Sequence, residues 1–143
     1  MSFEKVKSWL DQMELRYSHN EEMNLFYLPY DISGTKFAVQ IGVFDEKWIK
    51  IAALIVQADM IPKGLLRALL NANWHLFDVT YSIDDNGNVF SENDVPVDSN
   101  FENFRSEFGA VVFGVTHFFD TIANKLNVEQ QDTYVAKPGF EYV

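Results

Sequence analysis

The chain has 143 residues, no cysteine, and 21 acidic against 11 basic side chains, for a formal charge of −10. Without Cys there are no disulfides, thiolate nucleophiles or cysteine-type zinc sites, and the acidic balance repels phosphate backbones, which argues against DNA or RNA as partners. A hydrophobic share of 48%, with thirteen Phe, is enough apolar material for one folded domain built on large rings.

The first segment, MSFEKVKSWLDQMEL, is charged throughout and has no apolar block before a small-residue cleavage site, so it is not expected to be a signal peptide. Phe3, Val6, Leu10 and Met13, with Trp9 beside them, recur at spacings of three and four and predict a first helix. From about Met23 to Ile32 the pattern nears alternation, Ser33-Gly34-Thr35 supplies a turn, and Phe37, Val39, Ile41 and Val43 take every second position. After Asp45-Glu46-Lys47, the run from Trp48 to Val56 is apolar on both faces, as a buried central strand requires.

Asp59, Pro62 and GLLRALLNAN predict a second helix with Pro62 near its first turn and Leu65, Leu66, Ala68 and Leu69 on its apolar face. The period then returns to two, placing Phe77, Val79, Tyr81 and Ile83 on one face of a strand and Phe77 in the core. In IDDNGNVF, the pair Asn86-Gly87 predicts a two-residue hairpin turn with positive φ at both positions, Ile83 opposite Phe90 and Asp84 opposite Val89. The same stretch read as an EF-hand loop puts Ser82 first and Asn93 twelfth, where Asp and a bidentate Glu are needed, and strands rather than helices flank it. It is a turn, and no metal site is assigned.

Asp98, Ser99 or Asn100 can cap a last helix in which Phe101, Phe104, Phe108, Val111, Val115, Phe118, Ile122 and Leu126 hold one stripe for more than six turns. Beyond Asn127 the helical period stops, and residues 128–143 read as a C-terminal tail to a domain of residues 1–127. No internal repeat or linker divides the chain, and no apolar run reaches the ~18 residues needed to cross a bilayer, so a cytoplasmic protein without membrane contact is expected. The fold class is α+β, a single domain in the order α-β-β-β-α-β-β-α, with a twisted antiparallel sheet packed against helices.

That order resembles the small cytoplasmic chaperones of bacterial type III secretion and the YbjN-like proteins. Residues 69–96, LLNANWHLFDVTYSIDDNGNVFSENDVP, are similar to the YbjN-like pattern of a helix ending in Leu-Leu, an Asn plus aromatic, a strand, an acidic-Gly turn, a second strand and a Pro; Asn73-Trp74, Gly87 and Pro96 fall on those marks. The topological likeness runs from residue 3 to about 127. It implies a homodimer that needs no cofactor and holds a protein segment on exposed apolar patches. An unpaired sheet edge is a further docking surface, where a peptide could add a strand.

No residue pattern argues for an enzyme. His19, His75 and His117 lie on separate predicted elements with no metal-ligand spacing, and the paired acids Glu21-Glu22, Asp45-Glu46 and Asp84-Asp85 fall in turns or at strand ends. There is no nucleophile elbow, phosphate loop or dinucleotide fingerprint. One residue of the last helix stands apart. At 100° per residue, Phe113 points away from the apolar stripe, with Ala110 and His117 beside it at i−3 and i+4. Phe113, Ala110 and His117, together with Trp74 at the helix-to-strand junction, are the candidate partner or dimer surface. Gly109 and Gly114, each unfavourable inside a helix by about 1 kcal/mol relative to Ala, suggest close packing there. The rival expectation is a small-ligand sensor or enzyme with an aromatic-lined pocket between sheet and last helix, using His117, Tyr81 or Asp120.

Overall fold

The computed structural model describes residues 2–126; the expected tail, 128–143, lies outside the described residues. Helix α1 (Ser2–Gln12) leads into strands β1 (Ser18–Asn20), β2 (Leu25–Ile32), β3 (Thr35–Phe44) and β4 (Trp48–Val56). A single 3-10 turn (Ala58–Met60), helix α2 (Leu65–His75), strands β5 (Tyr81–Ile83) and β6 (Val89–Pro96) and helix α3 (Phe101–His117) follow. The last helix continues through a π-helical turn (Phe118–Ile122) into a final helical turn, α4 (Ala123–Lys125).

The six strands form one antiparallel sheet in the order β1-β2-β3-β4-β6-β5. The α+β class and the expected helix and strand order hold, with β1 as an additional short strand whose three residues are too few to show a period. Strand register sorts the side chains into faces. Phe26, Leu28 and Tyr30 on β2 oppose Ile41, Val39 and Phe37 on β3, and Ile49 and Ile51 on β4 follow on the same face. The helices pack on this face: Phe3 of α1 stacks on Phe26 at 4.4 Å, Trp9 meets Phe104 at 4.9 Å, and Phe108 of α3 reaches Tyr30. In β3 and β4 the burial extends to both faces, since Ala38, Gln40 and Ala52 are buried as well.

Four local expectations are corrected. Helix α2 starts at Leu65, after Gly64 at φ 89°, so Pro62 lies outside its first turn and only its carbonyl takes part, accepting from the Leu65 N–H at 3.2 Å. Leu66 is exposed rather than on the buried face, where Leu65 and Leu69 sit with Ala68 half-buried beside them. Phe77 is 95% exposed, because Asp78 takes a positive φ of 63° and breaks the alternation before the strand begins. Val79 and Tyr81 are buried, and Ile83 is exposed.

The turn in IDDNGNVF is also different. Ile83 pairs with Val89 and Ser82 with Phe90, one residue away from the two-residue register. The loop has three residues, Asp85, Asn86 and Gly87, and only Gly87 has positive φ, at 89°. This is the type I turn closed by a glycine bulge. Asp84 selects it: one carboxylate oxygen accepts from the N–H groups of Asn86 and Asn88, both at 2.9 Å, which fixes the loop from inside. Its carboxylate is thus engaged by backbone. Among the described residues no three His, Asp or Glu side chains converge as metal ligands would.

Asn100 is the residue that caps α3, its side chain accepting from the Asn103 N–H at 2.8 Å. The predicted stripe is buried at Phe104, Phe108, Val111, Val115, Phe118 and Ile122, and the π-helical turn interrupts the regular helix within it.

Candidate functional site

Two regions around β6 and β5 behave in opposite ways, and sequence explains both. On the helix-facing side of β6, two polar residues stand where apolar ones would be expected. Ser91 Oγ donates to the Val111 carbonyl at 3.0 Å, and Asn93 Nδ2 donates to the Asp78 carbonyl at 3.0 Å and the Glu107 carbonyl at 3.4 Å. Tyr81 Oη donates to the Gly114 carbonyl at 2.6 Å, and burial raises the Tyr81 phenol pKa well above its ordinary value. These bonds fasten α3 to the sheet. Gly114 permits the close approach, since a Cβ there would collide with Ser91 Oγ and come within 3.1 Å of Val79. Gly109 has no such role: a Cβ on it would meet nothing within 4 Å.

Tyr81 thus spends its hydroxyl on α3, while His117 is half-buried and Asp120 is exposed. Of these three, any of which the sensor or enzyme reading could use, Tyr81 borders a cavity that lies between α2 and β5. His75 is exposed at the end of α2, and His19 stands beside the rings of Phe3 and Tyr17. Burial, then the hydrogen bond to the Asp11 carboxylate, pushes the Tyr17 phenol up to about 12.

Helix α2 is held from one side only. The Asn73 side chain accepts from the Tyr81 N–H at 2.8 Å and donates to the Tyr81 carbonyl at 3.0 Å, taking both backbone groups that would pair with a further strand. Asn73 thus occupies this edge of the sheet at Tyr81. The residues along the outer side of α2 and after it are exposed: Leu66 at 43%, Leu70 at 71%, Trp74 at 83% and Phe77, with Ile83 of β5 nearby in sequence and space. Leu66, Leu70, Tyr81 and Ile83 line a cavity of about 210 Å³ between α2 and β5.

The predicted surface residues divide between two helices. Phe113, 51% exposed, stacks on His117 with ring centroids 5.7 Å apart, and Ala110 is half-buried on the same side of α3. Trp74 belongs to the α2 patch. Sequence reasoning missed Leu66 and Leu70 as surface residues and favoured the core over an exposed patch for Phe77; Leu66, Leu70 and Trp74 do recur at intervals of four, a second stripe on the same helix. A second concavity, about 270 Å³, lies by Phe44, Trp48, Lys50 and Asp94. Burial works against the Lys50 ammonium, but Asp94 at 3.0 Å and Glu92 at 3.5 Å raise its pKa on balance.

No protein-family model matches the chain, and no curated protein matches its sequence. Solved structures do match it. YbjN from E. coli aligns with a TM-score of 0.64 over 90% of this chain and 96% of that one, at 15% identity. ExsC in its complex with ExsE aligns at 0.59, over 83% and 94%, at 18% identity. The Yersinia pestis type III secretion chaperone SycH, in complex with a fragment of YscM2, aligns at 0.56, over 81% and 98%, at 13% identity. The chain has the fold of the type III secretion chaperones and YbjN. At these identities the likeness fixes architecture and leaves the role to the chemistry of the surface. Among the described residues no helix is long and apolar enough to cross a membrane.

Proposed function

We propose that this protein is a non-enzymatic, chaperone-like binding module that holds a segment of a partner protein on apolar patches, and that it does so in the cytoplasm as a homodimer. The carrying observation is the row of large apolar side chains along α2, from Leu66 to Phe77, left in water by a domain that buries most of its other rings. Soluble domains rarely leave so much contiguous apolar surface exposed unless something covers it. The Phe113–His117 stack, with Ala110, is a second and smaller patch suited to an apolar side chain of the partner segment. Support also comes from the structures sharing this fold, which include ExsC with ExsE, SchA with HopA1, and SycH with a YscM2 fragment.

The test is capture under native conditions from the source cells, with the wild-type chain, Leu70→Glu and Phe113→Asp in parallel. The expected result is one protein retained by the wild type, lost from Leu70→Glu, reduced in Phe113→Asp, and bound again as a synthetic peptide, with the circular dichroism spectra superimposable. Equal retention by Leu70→Glu and the wild type, or capture of no protein by the wild type, contradicts the reading.

A further inference from the structure

We infer that the face of the sheet opposite the helices is a docking site for the chain's own C-terminal segment, residues 128–143, which crosses it diagonally from β6 toward the start of β2 and lays its aromatic side chains on Ala52, Gln40 and Tyr27.

The first observation is burial on a face that the helices do not cover. Leu25, Tyr27, Ala38, Gln40 and Ala52 alternate with the core residues of β2, β3 and β4, so they point away from α1 and α3. Their exposure is between 1% and 7%, yet none of them belongs to the core cluster under the helices. Ala38 and Ala52 are small enough for neighbours on the sheet to hide. Tyr27 is not, since the residues across from it are Ser18 on β1 and Gln40 on β3. These residues are buried within one copy of the chain, so their cover comes from the chain itself and not from a second copy or another protein.

The second is direction. Half-buried Leu54 and Phe90, then Ala52 and Gln40, then Tyr27 and Leu25 mark a diagonal that starts at the C-terminal end of β4. The described chain ends beside that point, with Leu126 Cδ2 3.8 Å from the place a Cβ on Gly64 would take, in the connection after β4. Sixteen further residues reach up to ~50 Å when extended, and three strand spacings of sheet are only ~15 Å wide. The third is chemistry. The segment carries Tyr134, Val135, Phe140, Tyr142 and Val143 among its last ten residues, rings that a merely solvated tail would lack. Gln40 supplies the polar counterpart: its Oε1 is buried without a hydrogen-bond partner among the described residues, and a backbone N–H laid across the face would satisfy it.

The chain has no Cys, so a nitroxide attached to Lys137→Cys reports on the segment alone. In the full, isotope-labelled chain, the nitroxide should erase the amide resonances of Ala38, Gln40 and Ala52, while those of Phe104 and Phe108, in α3 across the sheet, keep their intensity. Phe140→Asp combined with Tyr142→Asp in the same chain should restore the lost resonances with circular dichroism unchanged. Ala52→Arg should restore them from the side of the sheet, and if that variant fails to fold the segment variant decides alone. Mixing isotope-labelled chain free of nitroxide with unlabelled chain that carries it should leave every resonance sharp. Resonances of the outer face that stay sharp beside the nitroxide, that remain erased in the double aspartate variant, or that are erased in the mixture by a second copy's segment overturn the inference. Each of these outcomes is independent of the α2 and Phe113 patches, on which the binding reading rests.

Discussion

Helices α2 and α3 flank the same core, but only α3 is fastened to it by polar bonds along its length. Ser91, Asn93 and Tyr81 all donate to backbone carbonyls of α3 or of the loop beside it, and Gly114 lets that helix sink onto the sheet. Helix α2 is anchored by buried Leu65 and Leu69 and by one side chain, Asn73, and leaves its other stripe outside. The α3 contacts specify the fold, while the outer stripe of α2 lies exposed outside this core, where the proposed association would use it.

That division can be broken by substitution. The largest effect is expected from Gly114→Ala, which forces a methyl group against Ser91 and Val79; thermal or urea unfolding should show a loss of about 3 kcal/mol, at the upper end of overpacking costs. Gly109→Ala, one and a half turns earlier, should instead hold or raise stability by up to about 1 kcal/mol, as expected for Ala replacing Gly in an open helix position. Asn73→Ala leaves the Tyr81 N–H and carbonyl without their partner and should cost about 2 kcal/mol by the same measurement.

Tyr81→Phe should cost about 1 kcal/mol through its lost hydrogen bond, and it adds a pH signature. Burial raises the folded-state phenol pKa, so the stability linked to its proton is complete below the ordinary value of 10.0 and is lost as pH rises above it. Wild-type stability should therefore decline more steeply above pH 10 than that of Tyr81→Phe, in urea titrations across that range. Equal slopes would mean that the phenol is not buried as described.

Most of the architecture was legible in sequence because its elements carry long, clean periods: α1, β3, β4 and the stripe of α3 were each marked by their buried residues. What escaped were positions where one local bond outweighs periodicity. The hairpin register turned on the Asp84 carboxylate bonding its own loop, and the exposure of Phe77 turned on the positive φ of Asp78. The seal under α3 was hidden because Ser91 and Asn93 look like solvent-facing residues until register places them inward. For the surface, Phe113, Ala110 and His117 could be found by helical angle, and Trp74 by position. Leu66 and Leu70 were harder, since a helix apolar on two sides does not say from sequence which side the core takes.

The central claim, that the outer stripe of α2 is a contact surface, can be read from one ring. Of the three Trp, Trp9 is buried, Trp48 is half-exposed and Trp74 is the most exposed, so the emission of the wild type minus that of Trp74→Phe isolates the ring in question. With the captured partner segment bound, this difference spectrum should be blue-shifted, as for an indole out of water, and it should stay red-shifted in the free protein and in Leu70→Glu. A Trp74 spectrum that stays red-shifted with the segment bound would contradict the account.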